Sequence, residues 1–258
     1  MKTNFVLQLI HVMIKKIKIL MLVFCCVNLG FAQQIDSLAI VRETNSLPSD
    51  RQRFEIKKLY VPAGLMIAGV ALSGKSAESI NNEIVEERNE HFMNFTSHLD
   101  DFLQFSPIVT AYALDAFGVK SKTDLGNRTA ILIKGEVMAL GSAFILKSLI
   151  HENRPDSSNN MSFPSGHTTQ AFAAATFLSE EYKDRFSWMP YVSYSLAGTV
   201  GVFRMVNNKH YISDVLFGAG LGILSMKMAY WTHQYKWNKK ERHEQAYQQY
   251  IKNEKPVY

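Results

Sequence analysis

Cysteine is nearly absent from this chain. Its 258 residues include two cysteines, Cys25 and Cys26, which are neighbours near the start. If the segment that carries them is removed, no disulfide is available and packing alone must hold the fold. Alternation of apolar and polar residues is missing too. No stretch long enough for a half-buried strand shows it, which argues against a sheet-based fold. Repeats, Gly/Ser linkers and low-complexity blocks are also absent, so a single domain is the default at this length.

A surplus of one charge is the next thing lacking. The formal net charge of +5 suggests a basic protein. However, residues 1–32 hold Lys2, Lys15, Lys16 and Lys18 and no acid. Without that segment 24 basic residues face 23 acidic ones, a net of +1. Bulk charge therefore gives no case for a nucleic-acid partner.

Lys15, Lys16 and Lys18 precede an apolar run from Ile19 to Phe31, and Gly30-Phe31-Ala32 is a small-x-small cleavage site. This is the build of a signal peptide over residues 1–32. A start at Met13 makes it more compact. A retained N-terminal anchor and a lipid on Cys25 are the alternatives, and the bulky Phe24 speaks against the lipid. Export to the periplasm is the expectation. An irregular segment over 33–50, a helical domain over 51–238 and a polar tail over 239–258 complete the organisation.

From Asp50 onward the pattern is helical. The spacing predicts helices over 51–73, 78–96, 100–117, 123–151, 166–184, 187–206 and 210–238, an all-α bundle of six to seven helices. Asp50 and Ser187 are the expected N-caps. Segment 78–96 is charged on most faces and should be peripheral. In 123–151 the stripe Ile131, Ile133, Val137, Leu140, Ala143, Phe144 and Ile145 should face the core. Asp100 and Asp101 should open a helix, where negative charge is favourable.

Long hydrophobic runs are scarce outside the N-terminus. A membrane span needs about 20 apolar residues. Leu59–Ser73 is shorter than that, Ser187–Phe203 reaches only 17, and Val215–Thr232 is interrupted by Lys227. The mean hydropathy of −0.08 argues against a chain that is mostly embedded. Trp231, Trp237, Lys236, Lys239, Lys240 and Arg242 suit a membrane interface, and a solvated helix accounts for them equally well. Membrane association is the expectation, with an integral inner-membrane protein as the alternative.

Three short segments carry chemistry. In the first, Lys147 and Arg154 are seven apart, two helical turns, so both can project from one face. Pro155 should end that helix. In the second, Pro164-Ser165-Gly166-His167 opens a helix. Ser165 can cap it, Gly166 lets a ligand approach the backbone, and the free N–H groups make an anion site with His167 at its rim. In the third, Arg204 precedes His210 and Asp214, which stand one turn apart. A carboxylate there can accept the imidazole N–H and leave the other nitrogen free to attack. Metal ligation by the same pair competes, but no third ligand appears at helical spacing and the nearby cations oppose it.

These residues resemble the type 2 phosphatidic acid phosphatase superfamily, which shares its site with bacterial acid phosphatases and vanadium haloperoxidases. The pattern Lys-x6-Arg-Pro, Pro-Ser-Gly-His and Arg-x5-His-x3-Asp is matched at every catalytic position between 147 and 214. Phe203 stands where the family often has Ser. Only eight residues separate Pro155 from Pro164, which leaves little room for a lid.

The resemblance implies a helical bundle and a metal-independent phosphatase without a cofactor. His210 would attack phosphorus and form a phosphohistidine, with Asp214 orienting it. His167 would protonate the leaving alkoxide and then activate water. Lys147, Arg154, Ser165, Gly166 and Arg204 would hold the phosphoryl oxygens. The expected substrates are lipid phosphates: phosphatidate, phosphatidylglycerol phosphate, polyprenyl diphosphate or lipid A. A soluble broad-specificity acid phosphatase, a vanadate-dependent haloperoxidase and a non-catalytic phospholipid binder remain as alternatives. Hydrolysis of phosphate monoesters is among the slowest uncatalysed reactions, with enhancements reaching ~10²¹. A positioned acid supplies ~10²–10⁴ of that. Charge stabilisation by the three cations must supply much of the rest.

Overall fold

The computed structural model describes residues 55–74 and 79–233, with Glu244, Tyr247 and Gln248 of the tail. The signal peptide, the irregular segment over 33–50, the Asp50 cap and nearly all of the tail lie outside the described residues. A 3-10 turn, Ile56–Leu59, leads into α1 (Tyr60–Leu72). It is followed by α2 (Ile80–His91), α3 (Leu99–Leu103), α4 (Ser106–Ala116), α5 (Leu125–Ile150), α6 (Gly166–Tyr182), α7 (Met189–Val206) and α8 (Ile212–Trp231). Among the described residues there is no strand, so the fold is all-α as the sequence led us to expect.

Helices α6 and α8 form the centre. α6 packs against α8, α7, α4 and α5, while α8 packs against α6, α1 and α5. Glycine makes the closeness possible. A Cβ at Gly222 would collide with the carbonyl oxygen of Thr169 on α6, and one at Gly218 would lie 2.8 Å from the carbonyl oxygen of Ser165. One turn separates these glycines, so one face of α8 is bare toward α6. Gly220 points the other way, where a Cβ would lie 2.5 Å from the carbonyl oxygen of Pro62 on α1.

The core under this contact is built from Ile131, Phe177, Leu178, Tyr182, Met226 and Tyr230 with alanines between them. Polar anchors close its far end. Glu181 accepts from the Thr123 N–H at 2.9 Å and from the Tyr230 hydroxyl at 2.6 Å. Fully buried Arg128 donates to Asp115 at 2.7 Å and to Ser121 at 2.6 Å, with Tyr112 against its guanidinium. A buried charge is tolerated only when bonded in this way.

Several sequence expectations need correction. The segment 100–117 is two helices, because Pro107 at the start of α4 cannot donate to the preceding turn. Ser187 is not the cap of α7; Trp188 precedes a helix that begins at Met189-Pro190, where proline fits the first turn. α2 is peripheral as expected and buries only Asn81. The α5 stripe is largely reversed. Ile131 and Ala143 are buried, but Ile133, Val137 and Phe144 are 59%, 67% and 66% exposed. The buried face is instead Asn127, Arg128, Ile131, Gly135, Ala139, Ala143 and Leu146. Apolar residues are spread around all sides of α5, so periodicity could not choose a face. Small residues win the inside because they let helices approach closely.

The bare face of α8 yields a paired test. Gly222→Ala should cost ~1–3 kcal/mol or more through overpacking against α6. Gly198→Ala, where nothing lies within 4 Å of the added methyl, should gain up to ~1 kcal/mol of helix propensity. Thermal unfolding of the two variants checks this, and equal melting temperatures would contradict the packing described.

Candidate active site

Asp214 is the hub of the site. It lies in the first turn of α8 and is fully buried. Its Oδ2 accepts from the Ser162 hydroxyl at 2.5 Å, from the Tyr211 backbone N–H at 3.0 Å, and lies 3.3 Å from His210 Nδ1. Its backbone carbonyl accepts from the Ser165 N–H at 3.1 Å. One residue thus ties the starts of α6 and α8 together. His210 itself is two residues ahead of α8 rather than within it. The sequence expectation of one shared helix is therefore corrected, while the pairing it aimed at is present.

His210 is 2% exposed. Burial pushes its imidazole down to about 4, against the pull of Asp214; Lys147 and Arg204 lower it further. The ring is therefore neutral at physiological pH. With Nδ1 directed to Asp214, Nε2 carries the free lone pair, the state a nucleophile needs.

The cations converge from three places. Lys147, in the last turn of α5, donates to the carbonyl oxygens of Met161 at 2.6 Å and Ser162 at 3.1 Å. Its Cε would lie 3.8 Å from a Cβ on Gly166, so the side chain passes over the start of α6. Arg154 does not share a helix with it. α5 ends at Ile150, and His151 adopts a left-handed conformation (φ 53°) that turns the chain. Arg154 then sits in a loop held by Asp156, whose carboxylate takes Lys209 Nζ at 2.6 Å and whose N–H donates to Asn208. Burial would raise Asp156, but the bond to Lys209 carries it down to about 2. Arg204 lies in the last turn of α7 and donates to fully buried Asp100 at 2.7 Å.

Lys147, Arg154 and Arg204 act on one another electrostatically. Burial holds the Arg154 guanidinium below its ordinary value, and Arg204 adds to the effect. Among the described residues, the buried Nε atoms of Arg154 and Arg204 have no hydrogen-bond partner. Leaving such donors unmet is costly. An anion held among these cations would relieve the repulsion.

The start of α6 completes the cradle. Ser165 caps it, accepting from the Thr168 N–H at 3.4 Å. The first-turn N–H groups of a helix have no intrahelical acceptor, and the helix dipole favours negative charge there. Space does not demand glycine at 166, since the nearest side-chain atom stands at ordinary contact distance. His167 follows, with Nε2 2.8 Å from Asp101 Oδ1.

Sequence reasoning missed four residues. Ser162 and Tyr211 hold Asp214, Asp100 holds Arg204, and Asp101 holds His167. Asp100 and Asp101 do stand in the first turn of α3 as expected, but α3 has only five residues and its acids reach across to α7 and α6. No sequence spacing announces contacts over 104 and 66 residues. Phe203 fills the family's Ser position by stacking on Phe95, with ring centroids 6.3 Å apart.

The orphaned guanidinium atoms give a binding prediction. Inorganic phosphate or vanadate should bind here, and Arg154→Ala should weaken it by roughly 10–100-fold, the worth of one charged hydrogen bond. Calorimetry on the purified protein checks this; unchanged affinity would count against the cradle.

Residues 144–238 match the model of the PAP2 superfamily. Lipid A 1-phosphatase of Porphyromonas gingivalis is 32% identical over 154 residues, which cover 59% of this chain and 35% of that protein. The chain thus spans about a third of the length of that curated relative. The crystal structure of LpxE from Aquifex aeolicus is similar with a TM-score of 0.45 at 21% identity, covering 58% of this chain and 94% of that one. That of the transmembrane PAP2 type phosphatidylglycerolphosphate phosphatase from Bacillus subtilis has a TM-score of 0.42 at 19% identity, covering 66% and 94%. All eight motif residues from Lys147 to Asp214 lie within the stretch that matches the PAP2 superfamily model.

Proposed function

We propose that this protein is a phosphatase for phosphorylated lipids that works through a phosphohistidine. The observation that carries the reading is the group of mutually repelling cations, Lys147, Arg154 and Arg204, of which Lys147 and Arg204 act on a neutral, Asp214-held His210. The cradle fits the equatorial oxygens of a phosphoryl group, and His210 Nε2 supplies an in-line attack. His167 gives a proton to the leaving oxygen and later takes one from water. Splitting hydrolysis into two displacements at a nitrogen gives a covalent route in which the cations carry the charge stabilisation.

The outer face of α5 favours a lipid over a soluble ester. It presents Ile133, Val137, Leu140, Phe144 and Leu149 outward, and Lys147 lies on the last turn of the same helix. α5 and α8 are each long and apolar enough to cross a membrane, and α5 is little buried. Membrane association, with export through the segment over 1–32 to a periplasmic site, belongs to this proposal.

Purified protein should release phosphate from lipid phosphates with a chelator present. His210→Ala should lower the rate by ~10⁴–10⁶-fold, as loss of a nucleophile does. Undiminished activity in that variant removes the assignment. The fraction of membranes, not the soluble fluid, should hold the activity.

The pH profile follows from two imidazoles. His210 must be neutral, and its value of about 4 sets the acid limb of kcat/KM. His167 must be protonated to donate. Burial, then Arg204, hold it below the ordinary 6.5, against Asp101 and Asp100. The activity of free enzyme should therefore peak on the acid side of 6.5 and fall as pH rises through the value of His167. A flat profile from 4 to 8 would contradict the assignment.

A further inference from the structure

We propose that Asp101 is a positioning residue for His167, holding its ring and keeping it charged enough to act as the acid; this rests on the phosphatase reading above. The motif that identifies the site names no partner for His167. The structure adds a carboxylate 2.8 Å from His167 Nε2, contributed by a residue 66 positions earlier. Asp101 stays ionised: the bond from His167 holds its carboxyl below the ordinary value, and His98 adds to this against partial burial.

The alternative for Asp101 is a dipole-favouring acid in the first turn of α3. A helix of five residues has little dipole to complement. An ionised carboxylate beside an anion site is also a cost, unless it does something there. What it does follows from the charges that face His167. Arg204 on α7 opposes an imidazolium, and so does burial. Asp100 and Asp101 on α3 favour one. Asp100 is already committed to Arg204 at 2.7 Å and to Asn207 at 3.2 Å. Among the described residues, Asp101 alone makes a hydrogen bond to the ring. Its other oxygen, Oδ2, takes His98 Nδ1 at 3.2 Å, and His98 is an exposed residue. The carboxylate is therefore braced from the solvent side.

The proton bookkeeping is closed by the second ring nitrogen. Nε2–H stays on Asp101, and Nδ1 exchanges the proton. In the first displacement His210 Nε2 forms a bond to phosphorus, the ester P–O bond breaks, and the Nδ1 proton goes to the leaving oxygen. In the second, water adds to phosphorus, its proton goes to Nδ1, and the P–N bond breaks to restore His210. Asp101 remains an anion throughout, and its charge is what lets Nδ1 hold a proton between steps.

Asp100, Asp101 and His167 also place three ligand atoms within 4.8 Å of one another, the spacing of a metal centre. Arg204 on Asp100 disfavours a cation there, and the same experiment decides.

The test compares Asp101→Asn with wild type by kcat/KM on two substrates. An alkyl phosphate needs its leaving oxygen protonated, whereas p-nitrophenyl phosphate does not. Asp101→Asn should lose on the order of 10–100-fold on the alkyl ester, part of the ~10²–10⁴ that a positioned acid supplies, and only a few-fold on the aryl ester. Its alkaline limb should move to lower pH. Asp101→Glu should recover part of the loss. An NMR titration of the His167 ring, which needs no turnover, should show its midpoint displaced downward in Asp101→Asn. Equal losses on both esters would mean a purely structural role and overturn the proposal, as would an unmoved His167 titration. Loss of wild-type activity on chelation, restored by a divalent ion, would overturn it in favour of a metal. A wild type that binds phosphate but hydrolyses neither ester defeats the phosphatase reading, and the titration then decides the Asp101–His167 pairing by itself.

Discussion

The arrangement depends on one buried carboxylate. Asp214 has no exposure to solvent and receives three hydrogen bonds on a single oxygen. Burying so polar a group is tolerated only when its oxygens are hydrogen-bonded. The donors come from two places: Ser162 in the loop before α6, and the consecutive His210 and Tyr211 that lead into α8. Satisfying Asp214 therefore assembles the site. It draws Ser162 inward, and the carbonyl of Ser162 in turn takes Lys147. It aims His210, and it sets Ser165 beneath the cations through the backbone bond to its own carbonyl. The bare glycine face of α8 permits this, since a side chain at 218 would strike Ser165.

The cations are the opposing constraint. Three positive groups are held near one another, two of them with buried donors unmet. In isolation that arrangement destabilises the fold. The protein offsets it with acids placed outside the cradle. Asp100 takes Arg204 from behind, and Asp156 takes Lys209 so that the Arg154 loop is pinned from its flank. Asp100 takes a terminal nitrogen of Arg204, and Asp156 takes Lys209 rather than Arg154. Cations that repel one another in this way are stabilised by an anion held among them.

The sequence made one half of this legible and hid the other. Lys147, Arg154, Ser165, Gly166, His167, Arg204, His210 and Asp214 could be read because their chemistry is local: a cap, a turn, a pair four apart. Their convergence is what the structure adds. Asp100 and Asp101 looked like ordinary first-turn acids, because the two residues they serve lie on other helices. Ser162 had no signal at all, being one serine in a polar loop. For the fold, helix existence was legible and helix facing was not. Apolar residues are spread around all sides of α5, so hydrophobicity carried no information about which side packs; residue size did, with Gly135, Ala139 and Ala143 buried and Val137 and Phe144 outside.

That reversal links fold to substrate. The interior is unusually polar for a helical core: Thr168, Thr169, Gln170, Thr176, Ser193 and Ser225 are buried in or beside the central pair. The outside of α5 is unusually apolar. A protein surrounded by water gains from the opposite distribution, since apolar area costs free energy wherever water touches it. Against hydrocarbon the outer cost disappears and close packing by small residues becomes the main cohesive term. The near-neutral mean hydropathy of the whole chain conceals this, because it averages the apolar helices with the charged α2 and the polar tail. Lys147 stands on the last turn of that same outward-facing apolar helix. A substrate whose tail lies along α5 and whose headgroup reaches its C-terminal end would bring its phosphate to the cradle without leaving the lipid phase. Under the proposed function, the helix that carries Lys147 would also be the one that selects for a lipid.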